Sequence, residues 1–308
     1  MKAAYIEKFG GPEVLQFGTL PDPVAAPGQV VVDIVAASIN GADPKVVLGD
    51  YKQVNFPVIP GRDFSGTVVA VGEGVSDLKV GDPVFGVLET GRDGTYCEKV
   101  AVGAAIVAKK PAGVGHVDAV AVALTGLTAL CAVEESLKLK AGETILVQGG
   151  AGGVASFAIQ LAKHLGASVI STTSTANVEY VRGLGADEVI DYRTTDFTTV
   201  ARNVDAVFET VGGDVATRSF EVLRPGGRAA FIASGAQAPK PARDDVTALR
   251  PAVPRTRDRL ERVAHLLAIG AVKPPPVRLF PLDQAQQALR VSAERHLRGK
   301  LVLTVRPG

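Results

Sequence analysis

Thr144-Ile-Leu-Val-Gln-Gly-Gly-Ala-Gly-Gly-Val-Ala155 is an apolar run, a glycine-rich turn and the opening of a helix, in that order. Beyond the turn, Val154, Phe157, Ala158, Leu161 and Leu165 recur at helical spacing and make one apolar face. Within the turn, Gly150-Ala151-Gly152-Gly153-Val154-Ala155 satisfies the pattern G-x-G-x-x-G/A. The first glycine of the pattern, Gly150, permits a tight turn, and the second, Gly152, lets backbone approach a pyrophosphate. Ala155 is small enough for a helix to pack closely on a strand, and the helix N-terminus offers N–H groups to phosphates. An ordinary glycine turn shares this composition but not the strand, turn and helix sequence. The stretch is therefore read as a nicotinamide dinucleotide site, with Gly150, Ala151, Gly152, Gly153 and Val154 as cofactor contacts.

Downstream, strand and helix patterns alternate. Strands are expected at Ile145–Gln148, Ser168–Thr172, Glu188–Tyr192, Asp205–Glu209 and Arg228–Ala233. Helices are expected at Gly153–Leu165, Ala176–Leu184 and Asp214–Leu223 between them. That alternation predicts a doubly wound parallel sheet. Ligands of such sheets bind at the carboxyl ends of the strands, which adds Val211, Ile232 and Ala233 as cofactor contacts. Ordinary strand-end packing is their alternative role. The segment Gly235–Arg259, rich in Pro, Arg and Ala, is expected to be a long surface excursion. After it, Leu260–Ala268 and Asp283–Ser292 read as helices, and Val277–Pro281 and Lys300–Val305 as extended segments.

The end of the second expected strand chooses between cofactors. NAD sites place Asp or Glu there to bond the ribose 2′-hydroxyl. This chain reads Ile170-Ser-Thr-Thr-Ser-Thr-Ala-Asn177, with no acid before Glu179. Hydroxyls and amides donate to a 2′-phosphate, whereas a carboxylate repels one, so NADPH is the expected cofactor. A polar turn with a helix N-cap is the alternative explanation of the same residues.

Upstream, Gln29–Ala37 and Ser65–Val71 read as buried strands, and Gly/Pro turn signals are frequent up to about residue 120. A small barrel-like β-domain is expected there. The apolar run Ala119–Val133 lies between Asp118 and Glu134 and is too short for a bilayer, so it reads as a buried helix. Charges nearly cancel, with Lys+Arg 33 against Asp+Glu 32 in 308 residues. No basic block marks a nucleic-acid or membrane partner. Two distant cysteines, Cys97 and Cys131, fit a reducing cytoplasm and exclude a multi-cysteine structural zinc site. No signal-peptide core opens the chain, and the expected location is cytoplasmic.

Many ordered motifs together resemble one family over nearly the whole length. They are Met1-Lys-Ala-Ala4, Phe9-Gly-Gly-Pro-Glu-Val-Leu15, Ala37-Ser-Ile-Asn-Gly-Ala-Asp43, Pro60-Gly-Arg-Asp63, Gly66-Thr-Val-Val-Ala-Val-Gly72 and Gly81-Asp-Pro-Val-Phe-Gly86. Leu124-Thr-Gly-Leu-Thr-Ala129, the glycine turn, Leu184-Gly-Ala-Asp187 and Gly299-Lys-Leu-Val-Leu303 continue the series. The chain resembles the medium-chain dehydrogenase/reductase superfamily, in its zinc-independent NADPH quinone oxidoreductase (zeta-crystallin-like) branch. The resemblance implies an α/β fold in which a Rossmann doubly wound parallel sheet is inserted into a GroES-like β-barrel catalytic domain. Expected bounds are 1–120 completed by 262–308 for the catalytic domain and 121–261 for the dinucleotide-binding domain. Dimerisation through an edge strand of the Rossmann sheet is usual in the family, so a homodimer is an expected assembly.

The resemblance also distributes roles. Asn40 matches a residue beside the nicotinamide or its ribose, and Thr128 a threonine approaching the same region. Ser174 matches a phosphate-contacting serine and Tyr192 a tyrosine at the adenosine end. Asn177 stands where many relatives carry lysine, and Arg182 is the nearest cation in sequence. Zinc-dependent relatives have cysteine at the place of Asn40 and Gly-His-Glu at Gly61-Arg62-Asp63. An amide and a guanidinium cannot replace thiolate and imidazole as zinc ligands, so no metal is expected. Asp63 is read as structural, a carboxylate capping or pairing within the fold. Without metal, hydride must go to an acceptor that is easily reduced or is polarised by a hydrogen-bond donor. Quinones meet the first condition, and conjugated enones or enals the second. Lys45 and Tyr51 are the expected catalytic donors, against plain roles as a solvated lysine and a packing tyrosine. Many relatives carry arginine at the place of Leu48, so the acceptor pocket is expected to be more apolar. The alternative from another class is an NADPH-binding module without turnover, like lens crystallins or vesicle-associated proteins. An alcohol dehydrogenase is disfavoured by the missing Lewis acid.

Overall fold

Six parallel strands carry the glycine-rich turn. The computed structural model describes residues 1–50, 55–89, 94–235, 237–294 and 297–306, which divide into two units. One unit spans Thr125–Val253 and Gly270–Lys273, the other Met1–Leu124, Pro254–Ile269 and Pro274–Gly308.

In the first of these the strand order is Glu188–Asp191, Ser168–Thr173, Thr144–Val147, Val204–Glu209, Leu223–Phe231, Thr247–Leu249. All neighbours are parallel. Numbered along the chain, the order runs outward in one direction from Thr144–Val147 and then resumes on its other side at Val204–Glu209. Ile145, Leu146 and Val147 are wholly buried, which explains an uninterrupted apolar run in place of alternation. The helix Gly153–His164 leaves this strand through the glycine turn and buries Ala155, Phe157, Ala158, Ile159, Leu161 and Ala162.

Three expectations need correction in this unit, the first being the strand expected at Arg228–Ala233, which spans Leu223–Phe231 and leaves Ile232 and Ala233 beyond its end. The expected excursion Gly235–Arg259 contains a sixth strand, Thr247–Leu249, paired with Arg228–Ala230, and its end starts the helix Arg257–Ala268. A three-residue strand flanked by proline-rich sequence has too few residues to display a period. The helix expected over Asp214–Leu223 stops at Arg218, because Leu223 already belongs to the next strand.

In the other unit, a seven-stranded sheet runs Val277–Pro281, Lys300–Thr304, Gln29–Ile39, Asp63–Val71, Pro83–Val87, Val107–Lys109, with Lys99–Gly103 also paired to Gln29–Ile39. Leu301 faces Ile39 and Thr304 faces Ala36 across an antiparallel pair, so the chain's last strand completes a sheet begun by its early ones. The helix Arg257–Ala268 belongs here. Arg257 Nε donates to Val107 O at 2.7 Å, so the return to this unit comes at Pro254, earlier than the expected residue 262.

The apolar run Ala119–Val133 lies on a helix, His116–Leu130, extended by a π-helical turn Cys131–Ser136. Its length and apolarity alone would suit a bilayer, but most of it is buried within the protein, as in a core helix.

Candidate active site

The turn after Thr144–Val147 gives each glycine a distinct task. The left-handed residue is Gly149, at φ +75°, not Gly150. Gly150 is required for space: a Cβ there would lie 2.3 Å from Ser171 Oγ and 3.0 Å from a methyl of Val181. A Cβ on Gly152 would meet only Gly149 O, at 3.4 Å, so that side of the turn is open. Gly152 is also the helix N-cap and has no side chain to cap with. The N–H groups of Gly153, Val154 and Ala155 find no acceptor among the described residues, while Ser156 N closes the first helical bond to Gly152 O at 2.8 Å. Three free donors at the positive end of a twelve-residue helix, beside open space, fit a diphosphate.

The neighbouring strand end is built from hydroxyls. Thr172 Oγ1 donates to Gln148 Oε1 at 2.6 Å and accepts from Gly149 N at 3.1 Å, locking the turn to the sheet. Ser171 Oγ donates to Val147 O. Tyr192 N donates to Thr173 O, which brings Tyr192 alongside Ser174 beyond the strand ends. Asn177 Nδ2 donates to Ser174 Oγ at 3.1 Å, leaving the serine hydroxyl proton free to point elsewhere. Tyr192 is half exposed. Arg182 is committed to an ion pair with Glu179, whereas Arg193, exposed beside Tyr192, makes no ion pair among the described residues. Asp191 is tied into its own turn by the Thr175 side chain and by Arg193 N, which hold its carboxyl below the usual range.

On the other side of the turn, Val211 is exposed, Ala233 exposed and Ile232 partly so. Thr128, on the core helix, is half-buried. Thr210 Oγ1 donates to Gln148 O at 2.7 Å and anchors the segment after the strand Val204–Glu209.

The other unit contains a buried polar cluster. Asn40 Nδ2 donates to Asp63 Oδ1 at 2.9 Å, and Asn40 Oδ1 accepts from Lys300 Nζ at 2.8 Å. Lys300 Nζ also donates to Ile39 O at 2.7 Å. Asp63 accepts further from Ser38 Oγ and from Leu124 N. Burial pushes the Asp63 carboxyl up and the Lys300 ammonium down. The amide dipole thus lies between a carboxylate and an ammonium in the orientation that both favour. Asp43 Oδ2 accepts from Asn40 N at 2.9 Å and from Tyr96 OH at 2.7 Å. Lys45 is exposed on the short helix Asp43–Leu48; Tyr51 lies outside the described residues.

Asp43 is wholly buried, and that burial pushes its carboxyl from 3.8 up to about 6. A folded pKa above the unfolded one means that the native state holds the proton more tightly. The stability contributed is therefore present at low pH and lost as pH rises from about 4 to about 6, by roughly 3 kcal/mol. Between those limits, the stability of wild type relative to Asp43→Asn is expected to fall by that order in urea unfolding. A difference that does not change with pH would refute the assignment.

A family model for an alcohol dehydrogenase GroES-like domain matches residues 26–165, and one for a zinc-binding dehydrogenase matches residues 184–303. The NADPH-dependent alkenal/one oxidoreductase of Arabidopsis thaliana is 34% identical, over 98% of this chain and 79% of its own. The chain belongs to the medium-chain dehydrogenase/reductase superfamily. The quinone oxidoreductase from Coxiella burnetii superposes with a TM-score of 0.93 at 31% identity, over 99% of both chains. The Escherichia coli quinone oxidoreductase, solved with NADPH, superposes at 0.90 with 28% identity, over 99% of this chain and 100% of the other.

Zinc is the metal that one of these family names implies. Among the described residues no three His, Cys, Asp or Glu side chains come together as a ligand set. Asn40 and Asp63 are already bonded, and the Lys300 ammonium stands against the amide oxygen. A fixed cation there repels a divalent one, so these residues do not fit zinc. Three residues of note escaped the sequence reading. Arg193 shows no pattern beyond following Tyr192. Lys300 is visible only as part of the motif Gly299-Lys-Leu, and its partner Asn40 is 260 positions away. Glu209 is an acid at the end of an apolar strand, a signal that could have been pursued.

Proposed function

We propose that this protein is a zinc-independent NADPH-dependent reductase that delivers hydride to a quinone or an α,β-unsaturated carbonyl compound. The carrying observation is the open, uncapped helix N-terminus at Gly152 beside a strand end made of Thr172, Thr173 and Ser174, none of them acidic, while the nearby Asp191 carboxylate is tied to Thr175 and Arg193 N. The names of the Arabidopsis and Escherichia coli relatives support the same cofactor and acceptor classes.

In this reading NADPH, when bound, supplies the hydride. The N–H groups of Gly153, Val154 and Ala155 bind the diphosphate, and Ser174, Asn177 and Tyr192 face the 2′-phosphate. Val211, Ile232 and Ala233 line the nicotinamide half. Asn40 and Thr128 are assigned to the nicotinamide by family resemblance, and Lys45 and Tyr51 to the acceptor oxygen. With an enone, hydride adds at the β-carbon, negative charge gathers on oxygen, and a proton then reaches the α-carbon. Lys45 and Tyr51 would stabilise that charge by hydrogen bonding. With a quinone the electron-poor ring accepts the hydride directly.

Purified protein incubated with NADPH or NADH and either 1,4-benzoquinone or 1-penten-3-one tests this. NADPH is expected to be oxidised at least about tenfold more efficiently than NADH, the equivalent of one charge-assisted hydrogen bond. Dialysis against a chelator is expected to leave the rate unchanged. NADPH binding without turnover of any acceptor would favour the non-enzymatic module. Stoichiometric zinc, or reduction of NADP⁺ by an alcohol, would overturn the zinc-independent reading.

A further inference from the structure

Glu209 is the buried acid that the cofactor reading leaves without a task. It ends the strand Val204–Glu209 and is fully buried. Its Oε1 accepts from Val211 N at 2.6 Å and from Gly212 N at 2.8 Å, while Oε2 meets no partner among the described residues. Those two bonds fold the chain after the strand back onto the strand's own last side chain. The fold-back lies tightly between two other parts of the edge. A Cβ on Gly149 would touch Thr210 Oγ1 at 3.0 Å and a methyl of Val211 at 3.1 Å, and a Cβ on Gly212 would lie 3.1 Å from Ala233 O. Gly212 is left-handed at φ +88°, so the turn depends on both the glycine and the acid.

The place of this turn in the sheet says what it serves. Strand order reverses between Thr144–Val147 and Val204–Glu209, and dinucleotides lie across that reversal, one half over each set of strands. The glycine turn and Ser174 belong to the adenosine side. Thr210–Gly212 and Ala233 belong to the nicotinamide side.

We propose that Glu209 is a positioning residue for the nicotinamide half of the cofactor: by holding the amides of Val211 and Gly212 it fixes the exposed Val211 as the floor on which that half rests. The inference builds on the NADPH reading above. Burial raises the carboxyl's pKa, but one oxygen accepting two amides serves in either protonation state. Glutamine, whose amide oxygen also accepts twice, should replace it. Alanine releases both amides, and aspartate is one methylene too short to reach them.

Binding of NADPH and of adenosine 2′,5′-bisphosphate, measured by calorimetry, separates the two halves. In Glu209→Ala the Kd for NADPH is expected to rise at least about tenfold, the cost of ordering about one released residue again on binding, while that for the bisphosphate stays within about twofold. Glu209→Gln is expected to restore NADPH binding to within about threefold of wild type, as a retained acceptor should. If the alanine variant does not fold, Glu209→Asp takes its place with the same expectation. Equal weakening of both ligands, no weakening of NADPH, or a glutamine variant as poor as alanine overturns the proposal. Wild-type protein that binds the bisphosphate but not NADPH also overturns it. Wild type that binds neither ligand overturns the cofactor reading itself, and this inference with it.

Discussion

Lys300→Met is expected to destabilise the protein by about 3–5 kcal/mol, the usual consequence of stripping one partner from a buried charge pair. Lys300 is almost wholly buried, and its ammonium is bonded to Asn40 Oδ1 and Ile39 O. Methionine fills a similar volume, so the loss is electrostatic and not a cavity effect. What remains is Asp63, with no exposed surface and, among the described residues, neutral donors from Ser38, Asn40 and Leu124. Its carboxyl is already raised by burial even with the ammonium nearby. Without that cation it rises further, and the sign of the pH dependence follows. A carboxyl with a raised folded pKa favours the native state at low pH and loses that contribution as pH rises above the unfolded value, near 4. The deficit of Lys300→Met relative to wild type should therefore be larger at pH 8 than at pH 5. Removing both charges, in Lys300→Met/Asp63→Leu, should cost less than the sum of the two single changes, by about 1–3 kcal/mol of coupling. Chemical unfolding of the four proteins at both pH values measures all of this. A single variant within about 1 kcal/mol of wild type, the range of exposed pairs, would show that the cluster is not the charged lattice described.

The same cluster marks the limit of what sequence could reveal. The parallel sheet was legible because its central strands are buried on both faces and its helices carry a 3.6-residue period, each a signal within a dozen residues. The strands expected at Ser168–Thr172 and Asp205–Glu209 differ from the observed ones by a single residue each. The glycine turn was legible as a whole, but its internal roles shift by one position. The reason is steric: Ser171 Oγ crowds Gly150 from an adjacent strand, and a motif written along one chain carries no record of its neighbour. Asn40 was singled out by resemblance as a nicotinamide contact. Its side-chain amide is spent on Asp63 and Lys300, an arrangement that exists only after the last strand pairs with Gln29–Ile39. Glu209 presents the same difficulty at short range. A terminal acid on a strand is ordinarily solvated, and only the fold-back of Val211 and Gly212 buries it.

Gly152→Asp should separate stability from binding, with opposite signs. Gly152 sits at φ −74° and ψ 154°, an extended conformation open to any residue, and a Cβ there touches only Gly149 O at the edge of ordinary contact. The position is a helix N-cap, where aspartate is among the preferred residues and glycine caps only through its backbone. A carboxylate there would accept from the free first-turn amides and oppose the helix dipole. The unliganded protein is expected to gain about 0.5–1 kcal/mol, or ~1–3 °C in Tm for a protein of this size. Those same amides are the ones assigned to the diphosphate. The introduced side chain occupies them, fills the open side of the turn and sets a negative charge against two more. NADPH affinity is expected to fall at least about a hundredfold, close to 3 kcal/mol. Gly152→Asn divides the causes, since it caps equally well without charge. It should match the gain in Tm and lose less affinity, and only the aspartate's excess loss should shrink as salt screens the repulsion. Calorimetric titration at low and high salt, beside thermal unfolding of the three proteins, makes the comparison. An aspartate variant that binds NADPH within about threefold of wild type, well under the 1.4 kcal/mol of a tenfold change, would remove the diphosphate from this turn.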